Sequence, residues 1–263
     1  MIPLAELKRI AAKNSVALSV VEKDYAITWI LYALAETMFK ECFIFKGGTA
    51  LRKVYFPAWR YSEDLDFTAT KLLNEIEVKE LISSVNYYLY EKIKMSITYK
   101  SLYLNPEYAQ LKIQFLGPLN RENTIKLDIS FSEFLVLPPE NKLIHSEYSD
   151  KEKHFLYVYS LEESLAEKIR SILQRGKTRD YYDVWRILKW HYKLINKTKT
   201  KEILNQKCKF KNIICNEKLL FGQEKVDNAK KHWEKGLGYQ INDLPDFDIV
   251  ITECKYLLMQ FLK

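Results

Sequence analysis

Apolar residues recur along this chain with two different periods, and the change of period divides it. Tyr25, Ile27, Trp29, Ile30 and Leu34 follow a helical spacing, and Ser19 three residues before Glu22 has the form of a capping box. A helix over about 20–39 is predicted. Cys42-Phe43-Ile44-Phe45 is a short apolar run of strand type, stopped by Gly47-Gly48. A helix can start at that turn and run over 49–55, with Pro57 ending it. Residues 65–68 form a second strand-like run, and 72–92 is helical by period. Three strands are predicted next, around 97–104, 109–115 and 124–131. Pro138-Pro139 marks a loop, and 155–159 is a last short apolar run. Two helices should follow over 161–174 and 179–190, split by Arg175-Gly176-Lys177. Leu161, Leu165, Ile169 and Ile172 form the apolar face of the first. The stretch 200–263 carries helical periodicity and little strand signal.

The outline is α+β: a mixed-sheet α/β domain with an N-terminal helix over 1–159, then a helical C-terminal domain over 160–263. The boundary falls near Tyr159, and there is no internal repeat. Composition agrees with folded structure, since 48% of the 263 residues are hydrophobic and 29% charged, too apolar for a disordered chain. The four cysteines, Cys42, Cys208, Cys215 and Cys254, include no pair at metal-ribbon or thioredoxin spacing. A reduced, cytoplasmic protein is the simplest expectation. The four histidines form no H-E-x-x-H pattern, and 1–12 has no apolar core of a signal peptide. No stretch of about 18 residues is free of charge, so no membrane partner is expected.

Charge is unevenly placed. The segment 189–211 holds eight Lys and one Glu, a net of 8 − 1 = +7, which equals the +7 of the whole chain. Such a patch attracts phosphate, and Trp190, Tyr192 and Phe210 within it offer faces for bases. A solvated lysine-rich face would have the same composition.

Three acids stand out. Asp64 and Asp66 sit two apart in a strand and so share a face. Their mutual repulsion is relieved by a cation, and Mg²⁺ takes one or two carboxylates together with substrate phosphates. Asp128 lies in the alternating strand pattern Ile125-Lys126-Leu127-Asp128-Ile129-Ser130, and a neighbouring strand could bring it beside the other two. Three carboxylates around a metal pair would suit in-line attack of a hydroxyl on an α-phosphate. Upstream, Lys46-Gly47-Gly48-Thr49 joins an apolar strand to a helix. The glycines allow a tight turn and close backbone approach, the helix start offers N–H groups to an anion, and Thr49 adds a hydroxyl. Arg52 and Lys53 follow one turn on. Further along, Lys168 lies off the apolar stripe of its helix, where it could reach a triphosphate. Arg179, Asp180 and Asp183 open the next helix; Arg179 and Asp183 can pair at i, i+4, and the cluster is a candidate for facing the nucleotide. Each of these residues, taken alone, also suits an ordinary turn, strand edge or surface ion pair.

Taken together, EKDY (22–25), FKGGTALRKVY (45–55), RYSEDLDF (60–67), KLDIS (126–130) and SLAEKIRSILQRGKTRDYYDVW (164–185) resemble the AbiEii/AbiGii-type nucleotidyltransferase toxin family, within the DNA polymerase β-like nucleotidyltransferase superfamily. The stretches occur in family order and span 22–185. The remainder is similar only in being helical. The resemblance carries NTP and metal binding to Gly48, Thr49, Asp64 and Asp66, and it matches the family's later basic residue to Lys168 and its R-D-x-x-D segment to Arg179, Asp180 and Asp183; with the residue reading above, Gly47, Gly48, Thr49, Arg52, Lys53, Lys168, Arg179 and Asp180 are expected to bind nucleotide. Together with Asp128 from the strand pattern, Asp64 and Asp66 are expected to hold Mg²⁺ or Mn²⁺, and these acids with Lys168 and Asp183 are the expected catalytic residues. Thr49 stands where the superfamily often has Ser, keeping the hydroxyl. The family's members are toxins of type IV toxin–antitoxin or abortive-infection systems, and some extend tRNA 3′ ends. NTP, RNA (tRNA above all) and a cognate antitoxin are the implied partners. Two other functions stay open: a nucleotidyltransferase acting on a protein or small molecule, and a non-catalytic RNA-binding module.

Overall fold

The computed structural model describes residues Met1–Lys263. The chain divides into two units, the first made of 1–133 and 139–158, the second of 134–138 and 159–263. The short segment 134–138 belongs with the helices although it lies inside the strand-rich stretch.

The first unit is built on a seven-stranded mixed sheet. Its strands are β1 (Phe43–Lys46), β2 (Asp64–Ala69), β3 (Ser96–Leu104), β4 (Tyr108–Leu116), β5 (Glu122–Ser130), β6 (Glu140–Leu143) and β7 (Phe155–Val158). They lie in the order β3-β4-β5-β2-β1-β7-β6. β2 runs parallel to β5 and β1 parallel to β7, while the remaining neighbours are antiparallel. One face is apolar: Phe45, Leu65, Phe67, Leu111, Ile113, Leu127 and Ile129 are all buried. It packs in one core with α2 (Leu18–Ala35) and α4 (Glu75–Ile93). Almost every residue of α2 is buried, as expected of a helix apolar on all sides.

Two elements have no counterpart in the predicted outline. α1 (Leu4–Asn14) buries only Leu7, Ile10 and Ala11, one narrow i, i+3, i+4 stripe amid charge. β6 is Glu-Asn-Lys-Leu, a polar strand held by antiparallel pairing with β7. The expected capping box at Ser19 does not form. α2 starts after Ala17 without a side-chain cap, and Glu22 instead accepts the Leu119 N–H at 2.8 Å. A capping box does form at α4, where Asn74 and Glu77 exchange side-chain and backbone bonds.

The second unit is helical: α5 (Leu161–Gln174), α6 (Thr178–Trp190), α7 (Lys197–Phe210), α8 (Gln223–Lys231), α9 (Trp233–Leu237) and α10 (Phe247–Leu262). The predicted stripe of Leu161, Leu165, Ile169 and Ile172 is buried. α6 adds Tyr181, Val184 and Ile187, and α10 adds Val250, Cys254 and Leu258 to the buried set. No helix of the chain is long and apolar enough to cross a membrane.

Candidate active site

The open face of the sheet carries the strand acids. Asp66 is the register partner of Asp128 in the parallel β2–β5 pair, and Asp64 that of Lys126. Residues opposite one another in register project to one side, so all three carboxylates share a face, while Leu65, Phe67, Leu127 and Ile129 alternate into the core. Lys46 is opposite Asp66 on β1. A cleft of about 240 Å³ on this face is lined by Lys46, Asp66, Tyr108, Gln110, Asp128, Ser130 and Glu133, among others.

The Gly-Gly turn is shaped by what lies against it. Gly47 has φ +80°, and a methyl group there would overlap the Asp66 carboxylate. A methyl group on Gly48 would fall 2.7 Å from a guanidinium nitrogen of Arg60. The turn leads into α3 (Gly47–Ala50), which passes directly into a wider turn, Leu51–Tyr55. Thr49 is buried, and its hydroxyl donates to the Asp64 carbonyl. That contact ties Thr49 to the start of β2.

Arg52 and Lys53 are both buried and turned onto Asp24. Arg52 Nε lies 2.9 Å from Asp24 Oδ1, and Lys53 Nζ 2.6 Å from Oδ2. Arg52 further donates to the Trp59 carbonyl at 2.6 Å and stacks over the Tyr61 ring. Tyr148 donates its hydroxyl to Asp24 at 2.7 Å. Burial opposes ionisation of Asp24, yet Lys53 and Arg52 outweigh it and hold the carboxyl at about 2. The cause is the buried carboxylate on α2: once Asp24 is in the core it requires cations, and these two supply them.

Glu133 was not anticipated. It takes Lys46 Nζ as an ion-pair partner and the Thr68 hydroxyl at 2.8 Å, adding an acid to the rim of the cleft. Nothing local marks it, because positions 46, 68 and 133 meet only through the strand order.

For a divalent cation, the hard oxygen donors of Asp66 and Asp128 are the right kind. One oxygen of Asp128 is buried without a hydrogen-bond donor, while the other pairs with Lys126 at 2.6 Å. The expected three-carboxylate centre is not assembled: no group of three His, Cys, Asp or Glu side chains is close enough to hold a metal ion. Asp64 is two residues along the strand from Asp66, roughly 6–7 Å, and Lys126 sits on Asp128. The donor set therefore fits a cation held by two carboxylates and completed by substrate oxygens.

The remaining expected residues belong to the helical unit. Lys168 Nζ lies 3.1 Å from Asp180 Oδ1 and 2.9 Å from Asp183 Oδ2. Asp183 is fully buried and Asp180 nearly so, and Arg175 reaches Asp180 at 3.4 Å. Arg179 is half-buried at the start of α6. Lys168, Asp180 and Asp183 thus form one cluster, as the i, i+3 spacing of the acids on a shared face requires.

The lysine-rich segment is only partly a surface. Lys207 is buried, 2.8 Å from Glu163 and 3.4 Å from Glu167, and Lys189 pairs with Glu253 at 2.6 Å. Lys193, Lys199, Lys209 and Lys211 are exposed, as are Trp190, Tyr192 and Phe210.

A family model described as nucleotidyl transferase AbiEii toxin, type IV TA system, matches residues 29–253. Among solved structures, MenT4, a nucleotidyltransferase toxin from Mycobacterium tuberculosis H37Rv, superposes with a TM-score of 0.71 at 19% identity, covering 98% of this chain and 90% of that one. A structure from H. pylori described as a nucleotidyltransferase gives 0.61 at 18% identity, covering 94% and 96%. No curated protein matches the sequence.

Proposed function

The chain belongs to the AbiEii family of nucleotidyl transferase toxins of type IV toxin–antitoxin systems, and we propose that it transfers NMP from an NTP to an RNA acceptor, the tRNA 3′ end, in the cytoplasm. The observation that carries the reading is the Asp66–Asp128 register pair beside Gly47, on an open sheet face.

Asp66 and Asp128 would hold Mg²⁺ or Mn²⁺, and Asp64 lies on the same face of the sheet. When bound, the cation supplies charge neutralisation on the triphosphate and acidifies the attacking hydroxyl. Gly47 leaves room for the Asp66 carboxylate and brings backbone N–H groups close to the same place. Gly48 lets the turn pass Arg60. Thr49 anchors β2 at Asp64, and Arg52 and Lys53 stiffen the turn from behind through Asp24. In the helical unit, Lys168 is the cation proposed for the triphosphate, with Asp180 and Asp183 positioning its ammonium and Arg179 beside them. The exposed lysines and aromatic rings of 189–211 supply an RNA-binding surface. A cognate antitoxin completes the system.

The test is transfer of label from each α-³²P NTP, with Mg²⁺, to total bacterial RNA and protein. Asp64→Ala and Asp66→Ala serve as controls. Label in the tRNA band, lost in both variants, is expected. Label confined to protein would move the assignment to a protein-modifying enzyme. Toxicity retained by both variants would remove the catalytic reading altogether.

A further inference from the structure

The face that carries the carboxylates continues outward into side chains the proposed chemistry leaves unused. Register pairing places Lys46, Asp66, Asp128, Gln110 and Tyr103 in a single row across β1, β2, β5, β4 and β3. Tyr103 therefore lies on the Asp66/Asp128 face. Tyr108 precedes Gln110 by two residues on β4, shares that face, and stacks on Tyr103 with ring centroids 5.4 Å apart and planes 29° from parallel. Both rings are open to solvent, Tyr103 being 55% and Tyr108 39% exposed. Tyr108 also lines the cleft that holds Asp66 and Asp128. It is diagonal to Asp128 across one strand step, roughly 7–8 Å, about the reach of one nucleoside from base to 3′ hydroxyl.

The next row sharpens the identity of the occupant. Lys112 is opposite Lys126 in the β4–β5 register, and like charges directly opposite destabilise a sheet. Lys126 spends its charge on Asp128, whereas Lys112 is exposed. A stacked ring pair alone would suit a hairpin that needs stiffening. Rings at the edge of a carboxylate cleft, with the exposed Lys112 diagonal to Tyr103 across one strand step, match what single-stranded nucleic acid requires: a π-face for a base and a cation for a phosphate. A duplex stem has no free base faces to offer.

Resting on the RNA-acceptor reading above, we infer that the Tyr103–Tyr108 pair is the stacking platform for the unpaired 3′-terminal base of the acceptor strand. Lys112 faces its phosphate, and the stacked base sets the terminal ribose hydroxyl toward Asp66 and Asp128. The platform selects acceptors with an unpaired end and is indifferent to which base occupies it.

The experiment compares wild type, Tyr103→Ala/Tyr108→Ala and Tyr103→Phe/Tyr108→Phe on an RNA hairpin with a short 3′ overhang. KM for RNA and KM for NTP are measured separately. Binding is followed by the fluorescence of 2-aminopurine placed as the terminal base. The alanine pair should raise the RNA KM by about 10-fold or more, leave the NTP KM unchanged and abolish the quenching of 2-aminopurine seen with wild type. The phenylalanine pair, which keeps the hairpin rings, should behave as wild type. An unchanged RNA KM and unchanged quenching in the alanine pair overturn the platform. So does a rise in the NTP KM alone, which would give the rings to the incoming nucleotide. A wild-type enzyme that labels no RNA overturns the parent reading instead, and quenching by terminal 2-aminopurine then still decides for or against the platform.

Discussion

Gly47 and Asp66 occupy one another's space: a methyl group on the Gly47 α-carbon would overlap Oδ2 of the Asp66 carboxylate. The residues lie on neighbouring segments, since Lys46 is the register partner of Asp66. The φ of +80° at Gly47 adds a second reason for glycine. The turn and the strand acid are therefore one feature, and the carboxylate keeps its place because the glycine has no side chain.

Gly47→Ala should accordingly displace Asp66. The conformational cost is about 1–2 kcal/mol, visible as a lower urea midpoint. Misplacing a reacting group by about 1 Å costs on the order of 100-fold in rate, so transfer should fall far more than stability. A variant with wild-type turnover would show that the Asp66 position is not critical.

How far this site was legible follows from which contacts are local. The strand acids and the Gly-Gly turn were readable because alternation assigns Asp64, Asp66 and Asp128 to faces. The pairing of Lys168 with Asp180 and Asp183 was only partly so: helix spacing puts the two acids together but says nothing of their cation. Arg52 and Lys53 sit one turn past the glycines, a position that suggests a phosphate, while their partner Asp24 sits about 28 positions earlier on a helix whose burial is a tertiary fact. Glu133 was invisible for the same reason: it reaches the cleft only through the strand order. Ser19 carried a local capping signal that lost to the Glu22–Leu119 contact.

Asp24→Ala tests the structural role of the turn's cations. It leaves Arg52 and Lys53 buried without their carboxylate. Breaking a buried pair from one side costs about 3–5 kcal/mol, so the variant should unfold at a much lower urea concentration. Were Arg52 and Lys53 instead nucleotide ligands, the variant would keep its stability and change the NTP KM.

The same carboxylate sets an acid limit. Its pKa is lowered from 3.8 to about 2 in the folded protein. A depressed acid stabilises fully above its unfolded pKa and loses that contribution as pH falls through the folded value. The contribution is about 2 kcal/mol at neutral pH, and it should fade between about pH 4 and pH 2. Asp24→Asn has no charge to lose, so the stability gap between it and wild type should narrow across that window. A gap independent of pH there would mean that Asp24 is not ionised in the fold.

The lysines of 189–211 should separate into two kinds. Lys207 is buried against Glu163, which is itself buried and also accepts the Val136 and Leu137 amides at 3.2 Å. Lys207→Met removes the cation that faces this carboxylate and should cost about 3–5 kcal/mol of stability, with RNA affinity of the folded fraction unchanged. Lys193, Lys199, Lys209 and Lys211 are exposed, and surface substitutions of this kind shift stability by about 0.5 kcal/mol or less. Changing these four to Gln should leave the urea midpoint in place and weaken RNA binding. The slope of log K against log salt should fall by about 0.7 for each single-strand phosphate that the variant leaves unneutralised. Filter binding across a salt series reads both quantities. A quadruple variant with the wild-type salt slope would place the RNA surface elsewhere on the protein, and the charge of this segment would then be no more than a solvated face.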